Sequence, residues 1–561
     1  MTKKTHCLMT SSSQKNAPAF LQNFERIYWP LVALLLIGGA LARLSLPLTP
    51  FIDPDIAGYL KPSIDQFTVG MFSHEAGRNF LYPYFVSQVL QISGNFNAIS
   101  LVQHLGGLLA ACLMMAVWHQ TTVFFPLGFA SRITHRLLGL AILTSFLFSK
   151  TTLLMEHSIR PESVFPLFTV CAIFLACRYF TAIREGKNPA IICALACGLV
   201  YNAFVIYSLK PAFGLGVGVA FLPPLLSLKR LKWPLAAKGG LFALPLCLVA
   251  VTLWLPEKKL VETYDKQSNS FLPELLLCFH ADIIRNEIDA DLKGRSDGIF
   301  DRGLLNTSAA LIDAELRHPG KRYKESLGFD ADNLLYKHSL IEALRAYYQM
   351  DNEGFNRFCI HYYLAAWKHQ PGKMAAKVCR QMWNFFGGQF GAFDDHGGGT
   401  IVIKERAQRS LQNTFWKEDC PPFNQYTEAN KTLLSSKLVW HQQPITTALH
   451  KIFNATYLLW FVAVVAAVIS LGWKHCREWA KANHLDQALL WVAYVFLFNL
   501  GNCLTIAIIH TTQVSRYTKN QLIFTLLAEA SAILLLAVLI ERLREGRHQS
   551  RKEGYQTIKQ Q

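Results

Sequence analysis

The sequence predicts a polytopic bundle of about ten membrane-crossing helices carrying a mainly helical domain on its outer side. Three observations carry this expectation. Of 561 residues, 52% are hydrophobic and only 17% are charged, below the roughly one quarter usual for a soluble domain. Apolar stretches of about 18–22 residues recur, each long enough as a helix to cross a hydrocarbon core of ~30 Å. Basic residues gather in the connections between these stretches, so the net charge of +17 reads as membrane topology. Nucleic acid is not an expected partner, because its binding would call for a basic soluble face with stacking aromatics.

The elements follow in order. Residues 1–27 form a polar cytoplasmic tail without a small-residue cleavage site behind a short apolar core, so the first span is expected as a retained helix. Spans are expected at 28–48, 97–118, 136–154, 163–182, 189–208, 212–228, 236–255, 452–472, 486–510 and 519–541. With the N-terminus inside, 22 Lys and Arg side chains fall in cytoplasmic segments and eight in short outer segments or at the outer end of the first span. That asymmetry puts both termini in the cytoplasm. The chain then divides into a transmembrane module of about seven spans at 28–255, with an outer loop at 49–96, and an extracytoplasmic domain at 256–450. About three further spans occupy 451–541, and a basic cytoplasmic tail occupies 542–561.

The outer domain shows amphipathic helical periodicity at 334–348, 355–367 and 374–386, with Gly387-Gly388 and Gly397-Gly-Gly399 marking loops. Four of the 13 cysteines lie in it: Cys278, Cys359, Cys379 and Cys420. An even count in an oxidising compartment permits two disulfides, with three pairings open. No CxxC pair suggests structural zinc. Walker, GxGxxG, HExxH and GxSxG motifs are absent, as is an internal repeat.

Chemistry-bearing residues concentrate in the short outer loops. The first carries Asp53-Pro54-Asp55, with Tyr59 four residues after Asp55, and then Arg78 beside Tyr82-Pro83. An i, i+4 pair shares one helix face, and Pro54 restrains its surroundings and suits a helix start. The second loop packs Glu156, His157, Arg160 and Glu162 into seven residues, the third holds Lys210-Pro211, and the last holds Arg516 and Tyr517. Glu529 is an acid within the last span. Each has a plain structural reading: a helix cap, an interfacial aromatic belt, a snorkelling lysine. Together they set acids able to deprotonate a hydroxyl beside cations able to hold a phosphate, on one side of a membrane.

This order of motifs resembles the GT-C superfamily of integral-membrane glycosyltransferases, in particular the lipid A aminoarabinose transferases and protein O-mannosyltransferases. Asp55 with Tyr59, Tyr82-Pro83, the span opening Ser100-Leu-Val-Gln103-His104, Arg160-Pro161-Glu162, Leu209-Lys210-Pro211 and Arg516-Tyr517 carry the resemblance, over 28–255 and 486–541. Many relatives have Asp-Glu where this chain has Asp55-Ile56. The resemblance implies transfer of a sugar from a polyprenyl-phosphate donor to a glycan, lipid or protein acceptor on the periplasmic side of a bacterial inner membrane, with inversion. It implies Asp55 as general base, assisted by Asp53 or Glu156. Lys210, Arg160, Arg516 and Arg78 would receive the donor phosphate, and Tyr59, Tyr82, Glu162, His157 and Tyr517 would line the substrate site. No cofactor is required. A divalent cation is allowed, with Asp394-Asp395-His396 as its candidate position and a surface turn as the alternative for those residues. A lipid-linked glycan transporter or flippase is a different reading, and would show charges in several spans and internal symmetry. A polysaccharide polymerase or ligase with a diphosphate donor would use arginines such as Arg380 and Arg406.

Overall fold

The computed structural model describes residues 19–53, 56–74, 78–228, 234–264, 271–295, 299–336, 339–349, 351–393, 399–413 and 420–560. Asp55 and Asp394-Asp395-His396 lie outside the described residues, as does most of the N-terminal tail.

The first half contributes α1 (Ala19–Leu44), α2 (Ala57–Thr68), α3 (Leu81–Ser93), α4 (Asn97–Gln120), α5 (Phe129–Leu147), α6 (Lys150–His157), α7 (Phe165–Arg184), α8 (Pro189–Leu209) and α9 (Gly214–Ser227). α10 (Leu235–Val249) runs through a π-helical stretch, Ala250–Trp254, into α11 (Leu255–Tyr264). The helical domain follows: α12 (Phe271–Cys278), α13 (Ala281–Leu292), α14 (Arg302–Arg317), α15 (Lys324–Leu327), α16 (Ala331–Tyr336), α17 (Leu340–Tyr348), α18 (Asn352–His369), α19 (Pro371–Phe386), α20 (Ile403–Asn413) and α21 (Pro421–Leu433). The chain ends in α22 (Pro444–Ser470), α23 (Lys474–Ala482), α24 (Leu485–Ile509), α25 (Ser515–Lys519) and α26 (Leu522–Gln560). The one sheet among the described residues is a two-stranded antiparallel ribbon, β1 (Thr400–Val402) with β2 (Val439–His441), in which Ile401 opposes Trp440.

Among the described residues, eight helices are long and apolar enough to cross a membrane: Phe24–Leu44, Asn97–Val123, Phe165–Arg184, Pro189–Leu209, Lys238–Tyr264, Pro444–Ser470, Leu485–Ile509 and Leu522–Arg547. Hydropathy counted ten; the stretch at 136–154 makes a ninth if its bent pair is one span, and the stretch at 212–228 is too short to count among them. The stretch at 136–154 is a bent pair, Phe129–Leu147 and Lys150–His157, with a 44° bend. The chain turns extended at Ser149, whose hydroxyl caps the new helix by accepting from the Thr152 amide. The stretch at 212–228 is the helix Pro211–Ser227, roughly 25 Å long at 1.5 Å per residue, short of a ~30 Å core.

The spans bury an aromatic centre in which Phe498 stacks on Phe524 at 4.8 Å and both flank Phe213. A second core belongs to the helical domain and includes Phe279, Ile284, Leu344, Phe358 and Tyr362. Two of its helices, α14 and α18, begin at oxygen caps: Asp301 accepts from the Leu304 amide and Asp351 from the Gly354 amide, both at 2.9 Å. A third core joins the loop at 49–96 (Ile52, Ile56, Leu60, Tyr82, Val86) to Phe423 and Tyr426 of α21. The two allowed disulfides do not form: Cys278, Cys359 and Cys379 carry free thiols, the first two buried in the apolar interior.

Candidate functional site

The loop at 49–96 and the one at 156–162 are bolted together before any of their charged groups meet. The Phe51 amide donates to the His157 carbonyl at 2.8 Å, and the Ile159 amide donates back to Phe51 at 3.4 Å. From the other side the helical domain clasps the same segment. The Ile52 amide donates to Ser410 Oγ at 3.0 Å, Asn413 Nδ2 donates to the Ile52 carbonyl at 3.2 Å, and Tyr426 Oη donates to the Pro50 carbonyl at 3.1 Å. Asp53 therefore leaves a segment whose backbone is fixed on both sides.

Beneath this junction lies a closed cluster. Arg43, at the end of α1, grips Glu156 with both arms, Nε to Oε2 at 2.8 Å and Nη2 to Oε1 at 2.7 Å. Its remaining nitrogen donates to the Gly39 and Leu147 carbonyls at 2.9 and 3.2 Å. His104 Nδ1 lies 2.8 Å from Glu156 Oε2. Gly107, one turn further along α4, makes room for this carboxylate, because a Cβ there would overlap Glu156 Oε1. His157 Nε2 donates to the Pro47 carbonyl at 2.7 Å, and its ring packs on those of His104 and Phe51. Glu156 and His157, expected among the reacting groups, are thus both fully buried, with Glu156 held by Arg43 and His104 rather than by the cations of the loops.

Above it lies a second cluster that draws on four loops. Arg160 Nη2 meets Asp53 Oδ2 at 3.0 Å. Arg160 is extended because Pro161 follows it. Pro161 opens the short turn that holds Glu162, and Glu162 forms a buried ion pair with Lys210. Lys210 stands in extended backbone just past α8, where Pro211 follows. Its Nζ lies 4.5 Å from the Tyr517 ring centre, and the Arg516 guanidinium lies 5.3 Å from the same centre. The Arg78 guanidinium covers Tyr59 at 4.7 Å, and Tyr59 meets Tyr82 edge-on at 5.7 Å. Tyr82 Oη donates to Gln103 Oε1 at 2.8 Å, while Gln103 Nε2 donates to the Glu156 carbonyl at 2.7 Å. Gln103 is the tie between the two clusters.

The electrostatics follow from this crowding. Burial would raise the Glu162 carboxyl, but Lys210, Arg160 and Arg516 outweigh it and pull it down to about 2. Burial pushes the Lys210 ammonium down, Glu162 opposes the shift, and Arg516 and Arg160 add to it, leaving it at about 8. Burial lifts Tyr59 to about 12 against the pull of Arg78, so its hydroxyl stays protonated. Like charges held this close favour an anion between them.

The structure brings Asp53, Arg160, Glu162, Lys210, Arg516, Tyr517, Tyr59, Arg78 and Tyr82 into one region, with Glu156 and His157 in the layer below. Sequence reasoning gave no role to Arg43, Gln103, His104, Ser410 or Tyr426. The first three had a signal: polar side chains at span ends or inside spans, costly unless engaged. Ser410 and Tyr426 had none, since their partners are backbone groups hundreds of positions away.

No protein-family model and no curated protein matches the chain. Among solved structures it is similar to the crystal structure of ArnT from Cupriavidus metallidurans bound to undecaprenyl phosphate, at 12% identity and a TM-score of 0.31, over 85% of this chain and 77% of that one.

Proposed function

We propose that the chain is a membrane glycosyltransferase that moves a sugar from a polyprenyl-phosphate donor to an acceptor hydroxyl on the outer, periplasmic side of a bacterial inner membrane. One observation carries this reading: Arg160, Lys210 and Arg516, from three separate outer connections, converge on the single carboxylate Glu162 beside Asp53. Such a cluster suits a phosphate that gains charge as its bond to the sugar breaks.

In the proposed reaction the acceptor oxygen bonds to the anomeric carbon as the carbon–oxygen bond to the phosphate breaks, in line and with inversion. Asp55 takes the acceptor proton, and the polyprenyl phosphate leaves carrying the bond's electron pair. Lys210, Arg160 and Arg516 neutralise that leaving group. Glu162 keeps Lys210 in place, and Asp53 orients Arg160. Arg78, Tyr59, Tyr82 and Tyr517 wall the sugar. Glu156 and His157 act as positioning residues through Gln103 and the Phe51 bridge. The reaction so written requires no metal.

The test is transfer of label from radiolabelled polyprenyl-phosphate sugars to envelope extract by purified protein, with Asp55→Asn and Asp53→Asn variants and an EDTA-treated sample. The expected result is transfer by the wild type with EDTA present and none by Asp55→Asn. Transfer that survives Asp55→Asn and is lost in Asp53→Asn moves the base to Asp53. A protein that carries a lipid-linked glycan across vesicles without consuming donor overturns the enzyme reading in favour of a transporter.

A further inference from the structure

A cavity of about 180 Å³ opens in the helical domain, and none of its lining residues belongs to the two clusters described above. It is lined by Lys373, Ala376, Lys377 and Arg380 on one side, and by Asp282, Ile283 and Leu327 on the other. Positions 373, 377 and 380 are spaced i, i+4, i+7, so α19 turns one continuous basic face toward it. Among the described residues, none of these three cations is in an ion pair. Lys377 is buried, and its ammonium donates to the Ala507 and His510 carbonyls at 2.8 and 2.6 Å. An ammonium has three donors, so one is left for a ligand in the cavity it lines. Burial pushes Lys377 down to about 7, with Asp282 opposing. The volume is about tenfold what one water needs, room for a group the size of a phosphate.

We propose that this cavity is an anion-binding subsite that takes a phosphate or carboxylate group, held by Lys373, Lys377 and Arg380. It stands independently of the transferase reading. Two sources share this chemistry: the phosphate of a lipid headgroup, and an ionised group on a soluble glycan. The site is also mechanically placed. Lys377 secures the end of α24, and Gln381, the next residue but three, accepts from the Thr511 hydroxyl and Thr512 amide at 2.9 and 2.8 Å. The ligand would therefore sit against the helix that fixes the segment leading to Arg516.

The test is calorimetric titration of the full-length protein with inorganic phosphate. Arg516→Ala serves as the background, so that binding at the loop cluster is weakened. The double substitution Lys373→Ala/Arg380→Ala changes two exposed side chains and is expected to leave the melting temperature in place. Its phosphate affinity is expected to drop at least about tenfold, the loss of roughly one charge-assisted hydrogen bond. Competition by phosphatidic acid in mixed micelles assigns the site to a lipid, and competition by glucuronate or glucose 1-phosphate assigns it to a glycan. Equal phosphate affinity in the double variant and its background overturns the proposal, as does the absence of saturable binding in both.

Discussion

The Arg43–Glu156 cluster and the Lys210–Glu162 cluster use the same ingredients to opposite ends. In the first, one arginine meets one glutamate in a bidentate grip, both side chains are at most 1% exposed, and the other arginine nitrogen is absorbed by carbonyls. In the second, several cations share one carboxylate, and the neighbouring Arg160–Asp53 pair keeps 17% and 31% of its side chains exposed. A balanced, sealed pair fixes a junction between helices. A crowded one, buried at Lys210 and Glu162 but partly exposed at Arg160 and Asp53, leaves positive potential for something that arrives later. The comparison teaches that a charged residue's role here is read from its stoichiometry and access, not from its type.

The sharpest way to break this contrast is to remove one partner of the sealed pair. Glu156→Ala should destabilise the fold by about 3–5 kcal/mol, because it strands a buried arginine. A thermal or denaturant melt in detergent would register it. A stable Glu156→Ala protein that had lost only transfer would place Glu156 in the chemistry and dissolve the distinction. Next in size, Arg516→Ala should cut transfer roughly 10²–10³-fold, the scale of losing one donor to a developing charge, with an unchanged melt. A collapse in stability instead would show that this cluster, too, is structural.

A subtler effect is in pH. Lys210 titrates near 8 in the folded protein, below its ordinary range. Donor-phosphate affinity should therefore be full below about pH 8 and fall as pH rises through it. Glu162, held near 2, stays ionised throughout. Because Glu162 raises the lysine, Glu162→Gln should move the affinity midpoint to lower pH. A midpoint that stays put would separate Lys210 from the phosphate. The smallest effect is expected at an exposed pair, Lys431 with Glu428, whose side chains are more than half exposed. Lys431→Ala should change stability by less than about 0.5 kcal/mol, which sets the baseline for the other measurements.

Much of the bundle was legible because its signals are local. Apolar runs marked the spans, and 3.6-residue periodicity marked the helices found at Leu340–Tyr348, Asn352–His369 and Pro371–Phe386. The break at Ser149 was not, because an apolar run does not reveal where a hydroxyl will cap a new turn. In the site, Arg160, Glu162, Lys210 and Arg516 stood out as charges in very short outer loops. Arg43 entered the sequence reading only as a topological charge, although a guanidinium at the end of an apolar span needs a partner. The partner lies 113 positions away, a separation that no local pattern encodes. Asp55 remains legible in the sequence alone.

The Tyr426 hydroxyl that clasps the Pro50 carbonyl arrives 376 positions after it. At roughly 5–20 residues per second of synthesis, the loop at 49–96 waits on the order of 20–75 s for that clasp, and longer for Arg516. During that interval the nascent chain holds half a site. Chains arrested before residue 420 should thus leave the segment around Asp53 open to protease, and release past α21 should protect it. The order in which the ribosome delivers these segments makes the site among the last parts of the molecule to exist.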